Sequence, residues 1–417
     1  MQTVSGRILR YFQRVCGAAA VLLTMGPLST AAPPQKDAKP PASKDQARPA
    51  QDRNALPKNN PPSTIPVKLG LSINDPRALQ GFTLISPFVS PDTYLLDMQG
   101  RVVRTWHTDF SPGLSAFLLE NGHLMRPASI GGDARVFGPG PGIGGRVQEF
   151  TWDGELVWDF KFYGPRQLPH HDMIRLPNGH ILMIVWDRKT AEEAIAAGRR
   201  PEMTGDKHLL PDSLVEIKPT GKTTGEVVWE WHLWDHLVQD FDKTKANYGN
   251  IAEHSELVNI NFGEEELPSK NKKDDGKNRP PQIHTELTHF NAVAYNADLD
   301  QIAVSVFRFS EFWIIDHSTT TAEAAGHHGG KSGKGGDLLY RWGNPLAYRG
   351  GTKADRKLFN QHNVHWIPKG LPGAGHILLF NNGGVRTDRC GATQRRRKTI
   401  SSRRTFPVPS DSPTATR

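Results

Sequence analysis

The chain has 417 residues, with 40 Gly, 32 Pro and 10 Trp, a composition that favours many short strands and turns over long helices. Its formal net charge is +8, but residues 1–65 hold 9 Lys/Arg against 3 Asp/Glu and residues 386–417 hold 9 against 2, which leaves −5 for residues 66–385. A basic nucleic-acid footprint is therefore excluded for the body of the chain, and with only Cys16 and Cys390 so are a disulfide framework and a thiolate metal site.

The first 32 residues read as a secretory signal: Arg7, Arg10 and Arg14, an apolar run from Val15 to Met25, then Ser29-Thr30-Ala31-Ala32. The apolar run is too short for a stable membrane span. Cleavage near Ala31 or Ala32 is expected, with a periplasmic or secreted destination and no lasting membrane anchor. Residues 33–65, rich in Pro, Lys, Ala, Gln and Asn, read as a disordered linker. The ordered body is expected over residues 66–385.

Two phrases recur in that body. The first is an apolar strand, a turn and a second apolar strand, opened by a histidine. Its copies begin at His171-Asp172-Met173-Ile174, His289-Phe290-Asn291-Ala292 and His362-Asn363-Val364-His365, and they align without a gap. Leu114 to Met125 is a further copy with Leu114 in the histidine place. The second phrase is a strand ending near an acid, a turn, and a strand closing on tryptophan. Its copies run from Tyr94 to Trp106, Val147 to Trp158, Leu214 to Trp229 and Phe312 to Trp342. Alternation of the two gives four strands per unit, which predicts an all-β propeller of four-stranded blades.

Residues 232–283 interrupt the alternation and read as a surface excursion, of mixed helical character between Leu237 and Asn261. The Gly-rich stretch 318–336 reads as a solvated loop, His327 and His328 included. After Val385 the pattern stops, and residues 386–417 read as a basic disordered tail. The abrupt change of composition suggests a shifted reading frame or a truncation that leaves the C-terminal blade incomplete.

Repeats wound about an axis bring equivalent positions together, so His171, His289 and His362 are expected to converge, with Asn291 and Asn363 nearby. His170 and His365 sit at odd offsets, and strand alternation points them the other way, as packing or supporting groups. Neutral imidazole is a nucleophile, a base and a metal ligand. The trio by itself leaves open a transferase, a zinc enzyme, a quinone-dependent dehydrogenase propeller and a non-catalytic extracellular binding scaffold.

Val227-Val228-Trp229-Glu230-Trp231, Trp234-Asp235-His236-Leu237, Ala246-Asn247-Tyr248-Gly249-Asn250, His289-Phe290-Asn291-Ala292-Val293 and Gln361-His362-Asn363 resemble the bacterial arylsulfotransferase family over about residues 75–384. The resemblance implies a six-bladed propeller that moves a sulfuryl group from a phenolic sulfate ester to a phenol, without a nucleotide sulfate donor, a cofactor or a resident metal. It implies that His362 is transiently sulfated and that His171, His289 and Asn291 support it. It also implies a channel arginine about eighteen residues after His289, for which Arg308 is nearest, one residue beyond. The partners expected are thus small phenolic molecules and no nucleic acid; the oligomeric state is not readable.

Overall fold

A computed structural model of the chain describes residues 70–383, apart from Val89, 205–206, 264–284 and most of 132–141. The expected signal (1–32), linker (33–65) and basic tail (386–417) lie outside the described residues. Two units are distinguished. Residues 70–79 carry no strand and hold a turn in which Arg77 Nη2 donates to Asp75 Oδ2 at 2.6 Å.

Residues 80–383 carry every described strand. β1 (Thr83–Ile85), β2 (Thr93–Leu96) and β3 (Val102–Trp106) form a three-stranded antiparallel sheet. β4 (Phe117–Leu118), β5 (Leu124–Ser129), β6 (Gly145–Phe150) and β7 (Leu156–Lys161) form a four-stranded one. β8 (Gln167–Arg175), β9 (Ile181–Asp187), β10 (Asp212–Pro219) and β11 (Gly225–His232) form the next. After β12 (Leu237–Val238) and β13 (Val258–Asn259), a short parallel pair, come β14 (Phe290–Asn296), β15 (Gln301–Val306), β16 (Glu311–Asp316) and β17 (Tyr340–Trp342), again four-stranded. The hairpin of β18 (His362–Trp366) and β19 (Ile377–Phe380) follows.

Sequential antiparallel sheets of four strands, with the first strands β8, β14 and β18 packed side by side, make this unit an all-β propeller. Aligned on Trp106 and Trp158, β1–β3 match β5–β7; aligned on their histidine phrases, β18–β19 match β8–β9. Every residue of β9 is buried, because both faces of that strand lie against neighbouring layers. Between the third and fourth sheets, Phe290 packs edge-on against Trp313 at 5.6 Å and lies near-parallel to Trp231 at 6.3 Å.

The recurring tryptophans have a common task. Trp106 Nε1 donates to Thr151 O at 3.0 Å, Trp158 Nε1 to Thr224 O at 3.2 Å, and Trp229 Nε1 to Thr319 Oγ1 at 3.2 Å. Each bond leaves the outer strand of one sheet and ends in the connection preceding the outer strand of the next. The turn histidines of the first phrase bond instead to the acids of the second: His123 Nδ1 to Glu149 Oε1 at 2.8 Å, and His180 Nδ1 to Glu216 Oε1. One phrase therefore closes a sheet on itself, and the other staples it to its neighbour.

The segment 237–261 differs from its expected surface excursion. It holds the β12–β13 pair and a single 3₁₀ turn, Ile251–Glu253, with another, Leu233–His236, just before it, rather than helix. Leu237, Val258 and Ile260 join the core that includes Trp231, Phe290 and Trp313. Its apolar residues are covered by the main body, so the segment needs no core of its own.

Candidate active site

The first strand of each of three sheets, β8, β14 and β18, is interrupted at its histidine or within two residues of it. The ladders shift register between Pro169 and Met173, between Phe290 and Ala292, and between His362 and His365. Bulges of this kind re-aim side chains. His171 and His289 both adopt a left-handed backbone with φ 57°, and Leu114, in the equivalent place of an earlier copy, has φ 99°. In the last copy the left-handed residue is Asn363 at φ 56°, one position beyond His362. The gapless alignment thus holds for two histidines and slips by one residue for the third.

The bulges bring the predicted imidazoles together. The His171 and His289 rings lie 4.5 Å apart, centroid to centroid. Phe307 stands between the other two, 4.9 Å from His289 and 5.7 Å from His362. Phe307 is the residue eighteen after His289, so an aromatic ring occupies the place where the family resemblance implied a cation. Arg308, next in the chain, lies with Nη2 3.5 Å from Glu286 Oε2.

His170 corrects the alternation argument. Its Nδ1 lies 2.8 Å from His171 Nδ1, and its Nε2 2.7 Å from Asp212 Oδ1, with both the His170 and Asp212 side chains fully buried. The left-handed turn at His171 breaks the strand period, so neighbouring side chains meet. Asp212 Oδ2 also accepts from Thr288 Oγ1 and, at 2.9 Å, from the Phe290 N–H. This carboxylate ties the third sheet to the start of β14, just after His289.

His289 Nδ1 bonds Glu286 Oε2, which Arg308 also faces. His362 Nδ1 faces Asn360 O at 3.1 Å and Asn382 Oδ1 at 3.0 Å. A carbonyl only accepts, so this nitrogen carries the proton and Nε2 keeps its lone pair. Asn291 lies beneath this histidine. It is 2% exposed, and Nδ2 donates at 2.9 Å to the carbonyl of Gln361, while Oδ1 meets no protein donor. Its amide is spent on the backbone just before His362, so it positions that histidine from beneath. Gln361 is itself anchored, Nε2 donating to Val306 O at 3.1 Å and to Ser305 Oγ at 3.2 Å.

Burial pushes His171 well below the ordinary imidazole value, and the neighbouring His170, His289 and His362 act in the same direction. Burial also lowers His362, against the opposing pull of its bonds to Asn382 and Asn360. Burial alone would raise Glu286, but the His289 bond, helped by the charge of Arg308, outweighs it and holds the carboxyl below its usual range. The site therefore offers two uncharged imidazoles, His171 and His362, beside a Glu286 carboxylate that stays ionised: nucleophile, base and orienting anion together. Sequence reasoning missed Asp212, Glu286 and Phe307. Glu286 had a weak signal, three residues before His289, whereas nothing near any histidine pointed to Asp212.

The model of the arylsulfotransferase (ASST) family matches residues 73–417. The chain belongs to the arylsulfotransferase family. Aryl sulfate sulfotransferase activity on small phenolic substrates is the general activity of that family. No curated protein matches the chain. Among solved structures, the chain is similar to hydrazine synthase of Kuenenia stuttgartiensis, at 12% identity and a TM-score of 0.36, covering 72% of this chain and 64% of that one. It is also similar to the Cps50 (Swd1) β-propeller domain of Myceliophteria thermophila, at 9% identity and a TM-score of 0.32, covering 72% and 77%. BamB of Moraxella catarrhalis is similar at 10% identity and a TM-score of 0.28, covering 72% and 67%.

Proposed function

We propose that this arylsulfotransferase carries the sulfuryl group on His362, as a sulfohistidine formed directly from a phenolic sulfate ester and discharged to a phenol, with no nucleotide sulfate donor. The observation that supports it most is the proton order of the site. His362 Nδ1–H is held by Asn360 O, which leaves Nε2 as the attacking atom, and His289 is backed by the Glu286 carboxylate.

In the first displacement the His362 Nε2–S bond forms as the bond from sulfur to the phenolic oxygen breaks. The departing oxygen takes a proton from Nε2–H of His289, doubly protonated at this step with its Nδ1–H held by the Glu286 carboxylate. The carbonyl oxygens at His362 Nδ1–H offset the positive charge the ring gains. In the second displacement neutral His289 removes the acceptor phenol's proton, the new S–O bond forms, the N–S bond breaks, and both rings return to their starting state. Arg308 serves as a donor to the sulfate oxygens, while neutral His171 keeps an acceptor lone pair on Nε2. Sulfuryl transfer, like phosphoryl transfer, passes through a loose transition state in which placed donors and cations carry most of the catalysis.

Intact-mass measurement after mixing with an aryl sulfate, in the absence of nucleotide, tests this reading. A sulfated adduct is expected in the wild type and none in His362→Ala. An adduct that survives the substitution places the nucleophile elsewhere. The signal-like residues 1–32 support a periplasmic or secreted location, which cell fractionation checks.

A further inference from the structure

A second cluster of ligand-type side chains lies outside the imidazole trio. His236 ends the 3₁₀ turn after β11, and its side chain is fully buried. Asp337 ends the Gly-rich connection between β16 and β17, and half-exposed His327 lies within that connection. Asp337 Oδ1 is 2.9 Å from His236 Nδ1 and 2.8 Å from His327 Nδ1. One ligand atom from each of the three residues falls within 4.8 Å of the others.

The protons decide what such a cluster wants. His236 Nε2 lies 2.8 Å from Ala324 O, so this nitrogen must carry hydrogen. With hydrogen on Nε2, His236 turns Nδ1 to Asp337 Oδ1, the oxygen that also faces His327 Nδ1. A cation among these three atoms is within reach of all of them. Two imidazole nitrogens and one carboxylate oxygen are a zinc-type ligand set, and a metal-bound histidine ordinarily gives its far N–H to a carbonyl or carboxylate, as His236 does to Ala324. The surroundings hold the ring in place. Trp231 stacks on His236 at 5.5 Å and 5°, and its Nε1 donates to Gly336 O at 2.7 Å. A side chain at position 336 would collide with Ala324 O and the His236 ring, so only glycine lets the connection approach this closely.

We propose that His236 Nδ1, His327 Nδ1 and Asp337 Oδ1 bind one divalent transition-metal ion of the zinc class, with a fourth position open to water. The ion fastens the β16–β17 connection of one sheet to the turn that follows the outer strand of the sheet before it. His327 is thereby a ligand rather than the solvated loop residue its sequence context suggested, and the metal is structural rather than a partner of the three site histidines.

The test uses the untagged full chain, stripped with a chelator and titrated with zinc chloride by calorimetry, with thermal melting alongside. One equivalent is expected to bind and to raise the melting temperature. His327→Ala, a substitution in an exposed loop, is expected to weaken that binding at least about 100-fold, beyond what loss of an outer hydrogen-bond partner costs a metal site. Asp337→Asn is expected to do the same, while His362→Ala keeps the full stoichiometry. Cobalt in place of zinc should give the visible absorption of a low-symmetry site in the wild type and lose it in His327→Ala. The proposal is overturned if the stripped protein takes up no zinc, or if binding is unchanged in His327→Ala and lost in His362→Ala.

Discussion

His170 and His171 meet nitrogen to nitrogen, Nδ1 to Nδ1 at 2.8 Å, and the far end of His170 fixes which of them holds the proton. Because His170 Nε2 faces Asp212 Oδ1 at 2.7 Å, it must donate, so His170 Nδ1 accepts from His171 and leaves His171 Nε2 free. Asp212 thus sets the tautomer of a ring it never touches.

Asp212→Asn is therefore expected to hurt turnover more than binding. An amide nitrogen presented to His170 Nε2 reverses the proton order and removes the lone pair from the working face of His171. A wrong-tautomer substitution of this kind costs about 10²- to 10⁴-fold in kcat. Steady-state release of nitrophenol from nitrophenyl sulfate, with a phenol acceptor, measures it. If Asp212 acts through His171, adding His171→Ala to the variant causes no further loss.

Glu286→Gln separates orientation from charge at the second histidine. The amide keeps the size of the side chain but removes the negative charge that faces the His289 ring and Arg308. Loss of assisted proton transfer lowers kcat by about 10²-fold or more. The loss should be smaller for nitrophenyl sulfate than for the sulfate of a more basic phenol, whose leaving oxygen needs the proton. Equal losses for both would remove His289 as the acid.

The fold was legible because its two repeated phrases survive as residue patterns: apolar alternation, Asn-Gly-His turns and tryptophans at the ends of outer strands. The site was legible only as far as repetition reached. His171 and His289 share a backbone conformation as well as a place in the phrase, whereas the shift from His362 to Asn363 comes from a bulge, which leaves no composition signal. Asp212 was hidden because its partnership crosses between chain segments, and Glu286, only three residues before His289, because no motif marked it. The pairing of Asp212 with His170 spans 42 positions. Strand alternation failed at His170 for a local reason, since one left-handed residue is enough to cancel a period of two.

The tryptophan staples give a prediction about stability without chemistry. Trp158→Phe keeps most of the buried ring and deletes the Nε1 donor to Thr224 O, 3.2 Å away in the next sheet. One lost intramolecular hydrogen bond costs about 1 kcal/mol, and the orphaned carbonyl is near a turn where water can reach it. Denaturant melts should register that loss while kcat stays at the wild-type value. An unchanged midpoint would mean the tryptophans staple by ring packing alone.

The pH dependence of stability should have two limbs with different owners. At His232, burial alone would lower the pKa, but the bonds to Asp187 and Glu230 outweigh it and raise it to about 10. The folded protein therefore keeps a proton that an unfolded imidazole releases near its model value of 6.5. That contribution is complete below the unfolded value and is lost as pH rises toward about 10. His171 works in the opposite sense. Burial depresses it, so the unfolded chain binds the proton first and stability falls as pH drops below the model value of 6.5. Melting temperature is thus expected to peak near neutrality and decline on both sides. His232→Gln should flatten the alkaline limb and leave the acid limb alone, as read by thermal melts across the range from about pH 5 to about pH 10. An alkaline limb as steep in the variant as in the wild type would detach it from the His232–Asp187 pair.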